Sequence, residues 1–519
     1  MKWAHFLHIY QPADQHPGIL EKIVNESYRP LFKGLYKIPN TKVTLNVNAT
    51  LTERLFENGY RDVLDDIKNL VEMGRLELTG SAKYHAFLPL IPETEVRRQI
   101  ELNYETNKRY LGEAFNPKGF FSPEMGYSPK VAALVKDLGY EWMLADEVSL
   151  MGNKGDMPDM SSMDTVYEID GIGLQIYFRE KRPSNLIMGA LVRSPESLKK
   201  ALGDRVKKDT YILTAMDGET LGHHRPGLEV SYFDIIKDPQ MESVFISELP
   251  SYFKKVSKVK PLDSSWATSQ QDIEDGNPFV YWFDKGNKIH EYQWELAAIA
   301  IRAVSDSEFS DEKYPMMLEE TKAWEEMTEN ERSNEERKRA WVKARDMLDK
   351  ALNSDPWWWA CAKPWWSVEM IEKGMHALYM VVVQIPDSSP EDRSGAEDLY
   401  KRILMLAHDW QRKGMVDKMA ENERAERKIP LSKRFAAGDH YKALMNALRD
   451  EEDASVDRRE YEQAIKWRDS QYKLERDLDV YDAIHVMDLF REEGNFGKFQ
   501  EYLKEYQEKY KKISKGQPE

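Results

Sequence analysis

The chain has 519 residues, more than one small domain needs, with a formal net charge of -16 and a pI near 5.4. That charge repels phosphate backbones and anionic lipid, so neither nucleic acid nor a membrane is an expected partner, while a neutral substrate is unaffected. The lone cysteine, Cys361, has no disulfide partner, the opening MKWAHFLHIYQP interrupts any secretory apolar stretch, and no run is long enough to span a bilayer, so a reducing, cytoplasmic location is expected.

Over roughly the first 230 residues, short apolar runs alternate with amphipathic helical patterns, which predicts an α/β fold around a parallel sheet. The expected strands are Trp3–Ile9, Val43–Asn48, Leu76–Thr79, Gly119–Ser122, Trp142–Ala145, Leu174–Phe178 and Tyr211–Ala215, with intervening helices such as Thr52–Met73 and Thr94–Tyr110. Seven such strands suggest a barrel or barrel-like sheet whose site is built by loops after the strands' C-terminal ends. His8, Gln11, His85, Glu124, Asp217 and His223 fall at or just after those ends. From about residue 240 the pattern turns helical, giving three assigned segments: a barrel over 1–240, a helical domain over 241–390 and a helical extension over 391–519. Within the second, residues 320–350 space their apolar positions thinly among opposite charges and read as a solvated helix. No glycine loop of the phosphate-cradling kind is present.

Two carboxylate segments stand out. In GFFSPEMGYSP (119–129) an apolar strand runs into Glu124, and in TAMDGETLGHH (214–224) another runs into Asp217, followed by Glu219 and His223. Glycosidic bond cleavage needs one carboxyl to protonate the leaving oxygen and a second to attack the anomeric carbon or activate water, and residues from two strand ends can face each other across a cleft. HIYQP (8–12), with His8 and Gln11, and LELTGSAKYHAFLPLIP (76–92), with Glu77, Tyr84 and His85, mix hydroxyl-reading and ring-stacking groups. Fourteen Trp and 26 Tyr add flat apolar faces suited to sugar rings, although most such rings pack cores. Trp266, Tyr281, Trp282 and Trp294 are the candidate platforms, and His290 is a polar candidate beside Trp294.

In this order the segments resemble the sequence motifs of glycoside hydrolase family 57: HIYQP the first, Glu77 to Pro89 the second, GFFSPEMGYS the third, TAMDGETLGHH the fourth and residues 264–294 the fifth. The likeness covers about the first 300 residues, and SDPWWWACAKPWW (354–366) is similar to the family's aromatic-rich helical segment. It implies an incomplete (β/α)7 TIM-like barrel followed by a mainly helical domain, acting on α-1,4 or α-1,6 glucans with retention and no obligatory cofactor. By position Glu124 becomes the nucleophile and Asp217 the general acid/base, and His8, Glu77, His85, Glu219 and His223 fall where members contact sugar. Many members carry a second histidine where this chain has Tyr10, which puts that local sugar contact in doubt.

The expected partner is an α-glucan or maltooligosaccharide, with self-association left open. Hydrolysis is the first reading, with 4-α-glucanotransfer or branching by the same pair as the alternative, since acceptor choice depends on shape. A metal-dependent polysaccharide deacetylase and an inactive glucan-binding protein are the competing classes. For the former, adjacent His223 and His224 cannot both point inward as ligands, and no metal site is assigned.

Overall fold

A computed structural model describes residues 1–150, 164–310, 328–363, 365–419, 439–476, 486, 489–490 and 493–514. Ten strands form one sheet: β1 (Lys2–Ile9), β2 (Val43–Val47), β3 (Leu76–Gly80), β4 (Gly119–Phe120), β5 (Trp142–Asp146), β6 (Thr165–Ile169), β7 (Gln175–Arg179), β8 (Tyr211–Asp217), β9 (Glu242–Val244) and β10 (Lys255–Val259). Their order is β10-β6-β7-β5-β4-β3-β2-β1-β8, with β9 added beside β1. All pairings are parallel except β6 with β7.

The strands β8-β1-β2-β3-β4-β5-β7 match the seven expected ones and curl into an incomplete TIM-like barrel. No ladder joins β7 to β8. Their edges are stitched instead by the Glu180 N–H on the Leu213 carbonyl at 2.9 Å, Arg179 Nε on the Ala215 carbonyl at 3.0 Å and the Ala215 N–H on Ser184 Oγ at 3.1 Å. Side chains alternate as the pleat requires. Trp3, Leu7 and Ile9 face the surrounding helices, whereas Ala4 and Phe6 join Phe121, Trp142, Leu144, Tyr177 and Leu213 in an apolar interior plugged below by Val244, Ile246 and Phe253. β4 is short and opens on Gly119 because a Cβ there would stand 2.0 Å from the Trp142 indole.

Three differences from the sequence reading have local causes. The helix expected over Thr52–Met73 is two, Ala49–Glu57 and Arg61–Glu72, because Gly59 takes a φ of 84° and ends the first with Tyr60 N–H on the Leu55 carbonyl. Strand structure does not stop at residue 240: β9 and β10 follow, and β10, KVSKV, is an edge strand too polar to read as one. β6 likewise lies at the sheet's margin, half exposed over Tyr167 and Glu168.

The helical residues divide by packing rather than at 391. Helices Lys288–Ser305, Glu329–Ala351, Val368–Gln384 and Pro390–Arg412 share one core with the barrel helices Glu93–Leu111 and Pro129–Asp137. Helices Asp439–Asp457, Tyr461–Arg476 and Phe496–Ser514 belong to a different core, with Leu186, Ile187, Leu198 and Leu202 of the barrel. The helix expected to be solvated is not so on one face: Trp341, Ala344, Arg345 and Leu348 are buried, and Trp341 Nε1 donates to the Val304 carbonyl at 3.0 Å; residues 320–327 lie outside the described residues. Among the described residues no helix is long and apolar enough to cross a membrane.

Candidate active site

The C-terminal mouth of the barrel carries the polar residues. Glu124 follows β4 in a single 3-10 turn, Pro123–Met125, and has φ 58° and ψ 17°; Met125 has φ 52°. Left-handed backbone at two successive non-glycine residues is costly and persists only where surroundings enforce it. Enforcement comes from residues 264–268. Tyr127 and Ser264 exchange backbone hydrogen bonds at 2.7 and 3.2 Å, and the Trp266 N–H reaches the Glu124 carbonyl at 3.2 Å. The Trp266 indole Nε1–H then donates to Glu124 Oε2 at 2.8 Å. Backbone and side chain of Glu124 are thus both set by Trp266.

β8 ends on Asp217, level in register with His8 on β1, which is level with Asn46 on β2. Asp217 and Glu124 approach closely enough for the charge of one to raise the pKa of the other. His8 uses both ring nitrogens inside the protein: Nδ1 lies 2.8 Å from Asn46 Oδ1 and Nε2 lies 3.2 Å from His85 Nε2. His85, also left-handed at φ 56°, places Nδ1 3.1 Å from Ser354 Oγ and 3.9 Å from Glu124 Oε1. Tyr10 stacks on His85 at 4.1 Å with planes 11° apart. Glu219 supports this wall from behind: its Oε1 accepts from the Tyr28 hydroxyl at 2.5 Å, the Tyr10 N–H at 3.1 Å and Gln11 Nε2 at 3.3 Å.

Burial in this mouth penalises charge. It pushes Glu124 up to about 8, with Asp217 and Asp355 adding to the rise and the Trp266 hydrogen bond opposing it. Asp217 is pushed up to about 6 by burial, against the pull of Arg179. Glu219 rises to about 7, through burial and then Asp217, and Asp355 to about 6, through burial and then Asp14. Burial lowers His8 to about 4, and His85 falls well below its ordinary value. Both carboxyls are therefore held above their ordinary range, Asp217 with the Arg179 guanidinium opposing the rise and Glu124 with other carboxylates adding to it.

Several predicted site residues lie elsewhere. Glu77 is the second residue of β3, at the barrel's lower end, where Oε1 accepts from Thr44 Oγ1 at 2.8 Å and the Ser247 N–H at 3.4 Å. Tyr84 is buried, with its N–H on Gln99 Oε1 at 3.0 Å and Lys83 over its ring. His223 turns from the carboxylates to Glu26, Nδ1 to Oε2 at 2.6 Å. Trp282 is fully buried and stacked on Phe87 at 4.2 Å, so it cannot be a sugar platform. His290 is a satisfied core imidazole, between the Asp284 N–H at 3.0 Å and the Trp357 carbonyl at 2.9 Å. Trp294 stacks on Trp357 at 4.5 Å and donates to the Trp282 carbonyl at 2.9 Å. These three brace the aromatic helical segment behind the cleft.

Sequence reasoning missed Asn46, Arg179, Ser354 and Asp355. Asn46 had a signal, a polar residue inside the otherwise apolar end of β2. Ser354 and Asp355 open the aromatic segment at 354–366, and nothing local links Ser354 to His85, 269 positions earlier. Among the described residues no group of three or more His, Cys, Asp or Glu could hold a metal ion.

Comparison with known proteins fits this geometry. The chain is 28% identical to an α-amylase of Pyrococcus abyssi and 29% identical to a 4-α-glucanotransferase of Thermococcus litoralis, each over 145 residues, or 28% of this chain. The match spans only 22% and 21% of those relatives. Its fold is similar to that of a branching enzyme from Pyrococcus horikoshii, with a TM-score of 0.54 at 14% identity, covering 78% of this chain and 94% of the other. The model of glycosyl hydrolase family 57 matches residues 4–265, a span that holds both mouth carboxylates. By that match the chain belongs to glycosyl hydrolase family 57.

Proposed function

We propose that the protein is a retaining α-glucan hydrolase, α-amylase-like, in which Glu124 attacks the anomeric carbon and Asp217 protonates the departing glycosidic oxygen. The observation that carries this reading is the posture of Glu124. A carboxylate held in left-handed backbone, with one oxygen on an indole N–H and the other free to approach a substrate, is placed for a single direction of attack. The substrate is an α-glucan or maltooligosaccharide, the class named by the relatives' activities.

Between about pH 6 and 8 the pair shares one proton. A glycosidic oxygen seated at Asp217 accepts a hydrogen bond from its protonated form and so draws that proton to Asp217. The Trp266 N–H stabilises the carboxylate left behind. Glu124 then forms the glycosyl bond as the C–O bond to the leaving group breaks and Asp217 gives up its proton; water, losing a proton to Asp217, then bonds to the anomeric carbon as its bond to Glu124 breaks, which restores both carboxyls. A sugar hydroxyl in place of water makes the same site a glucanotransferase or branching enzyme, the activities named for two of the similar proteins.

Product analysis on amylose, amylopectin and maltoheptaose tests the reading. Wild type should release α-anomeric products, and Glu124→Ala and Asp217→Ala should each abolish turnover. Redistributed chain lengths without reducing-sugar release would replace hydrolysis by transfer. Binding without either product would sink the enzymatic reading.

A further inference from the structure

Five buried side chains run end to end from the helical half into the barrel. Ser354 Oγ lies 3.1 Å from His85 Nδ1, His85 Nε2 lies 3.2 Å from His8 Nε2, His8 Nδ1 lies 2.8 Å from Asn46 Oδ1, and Asn46 Nδ2 lies 3.1 Å from Thr79 Oγ1. Burial keeps both imidazoles neutral, so each ring carries one N–H. The contact between the two Nε2 atoms accommodates one hydrogen, which locks the tautomers against each other. With the hydrogen on His85 Nε2, His8 is protonated at Nδ1 and donates to Asn46, while His85 Nδ1 presents a lone pair. With it on His8 Nε2, the Asn46 amide turns over and His85 Nδ1 presents an N–H. Hydroxyls terminate both ends, and each can donate or accept, so either sense satisfies every member.

The free choice matters because His85 Nδ1 also lies 3.9 Å from Glu124 Oε1. A lone pair there suits a protonated Glu124 and an N–H suits an ionised one. We propose that Ser354, His85, His8, Asn46 and Thr79 form a reversible hydrogen-bond relay whose sense follows the charge of Glu124, with Asn46 and Ser354 as positioning residues for the nucleophile. Its catalytic consequence rests on the reading of Glu124 given above; the two-sense chain itself does not. The other groups facing Glu124 are Asp217, Asp355, Tyr10 and the Trp266 indole. Tyr10 lies over His85, where burial and the charges of Asp355, Asp14 and Glu124 hold it neutral. Burial first, and then the charges of Asp217 and Asp355, set the pH at which Glu124 ionises, and the relay responds to it.

The test is nitrogen NMR of the full-length protein labelled with 15N-histidine, followed from about pH 5 to 9, with His8 and His85 assigned through His8→Gln. Expected is a joint inversion, the protonated nitrogen moving from Nδ1 to Nε2 on His8 and from Nε2 to Nδ1 on His85. Glu124→Gln should abolish the inversion, and Asp217→Asn should shift its midpoint downward without removing it. Asn46→Asp, which only accepts when ionised, should fix the low-pH sense, move the acid limb of the kcat profile up by about one pH unit and lower kcat roughly tenfold with KM within about twofold. Rings that keep one tautomer throughout, or an inversion that persists in Glu124→Gln, overturn the relay even if Asn46→Asp does not fold. Inversion in a wild type inactive on glucans would overturn the proposed function and leave the relay standing. Glucan turnover without inversion does the reverse.

Discussion

The Trp266 indole is the point at which one side chain sets both the place and the charge of Glu124. Hydrogen bonds to an ionised group contribute about 1.5–3 kcal/mol, so Trp266→Phe, which keeps the ring and deletes the N–H, should lower kcat by roughly 10- to 100-fold. Loss of that donor also raises the pKa of Glu124 further, so the acid limb of the rate profile should move to higher pH. An unchanged profile in this variant would remove Trp266 from the site. Glu124 makes a second prediction, about stability. Its pKa is raised from the ordinary 4.5 to about 8, so the folded chain holds a proton that the unfolded chain releases, and stability declines as pH rises through that window. One unit is about 1.4 kcal/mol, and the window is several units wide. Glu124→Gln should therefore match wild type near pH 4 and exceed it by a few kcal/mol at pH 9, measured by urea denaturation at each pH. Equal stability at both would mean that the carboxyl is solvated.

At the scale of elements, the mouth depends on how the helical half is fixed to the barrel. Arg345 on helix Glu329–Ala351 forks onto Glu95 of helix Glu93–Leu111, at 2.9 and 2.6 Å, and also reaches Asp349 at 2.8 Å; Arg98 returns a second fork to Asp349. Glu95, Arg345 and Asp349 are all buried. Removing one member of a buried set strands the others, at about 3–5 kcal/mol, whereas apolar replacement of both partners is often near neutral. Arg345→Met should thus destabilise strongly, and Arg345→Met with Glu95→Leu should recover much of the loss in denaturant melts. A single-variant loss below about 1 kcal/mol would mark the pair as solvent-screened. The same helix ends just before Asn353, whose backbone bridges Ala86, and Ser354, whose N–H reaches the His85 carbonyl at 3.0 Å. Slippage at Arg345 should therefore also lower activity.

For the molecule as a whole, what was legible followed strand polarity. Seven apolar runs became the seven parallel strands, and Glu124 and Asp217 lie where strands end, since loops at that edge are the part of a parallel sheet open to ligand. Glu77 illustrates the same rule misapplied: it is the second residue of its strand, so polarity alone sends it to the far end of the barrel. His290 and Trp282 were misread because composition cannot tell a platform from a brace, a distinction made by burial. Ser354 and Asp355 were out of reach because their role exists only once a helix distant in sequence docks on the mouth.

That division of labour predicts different consequences for the two helical groups. Helices from Lys288 to Arg412 supply Ser354 and Asp355 and share a core with the mouth's own helices, whereas those from Asp439 to Ser514 pack on another side. The latter are tied down by the Ser194 hydroxyl on Glu462 at 2.7 Å, Arg193 with Asp469 at 3.5 Å and Lys473 on the Gly189 carbonyl, and by Trp467, fully buried in the core that holds Leu186 and Leu198. These anchors join residues 186–198 of the barrel, away from Glu124, Asp217 and Trp266 in the chain. A chain ended after residue 419 uncovers apolar surface worth several kcal/mol at about 25 cal/mol per Å2, yet leaves the mouth assembled. Its melting temperature should fall well below that of the full chain, while kcat on maltoheptaose, measured below that temperature, stays within about threefold. A folded truncated chain with no turnover would show that the C-terminal helices act on the cleft itself.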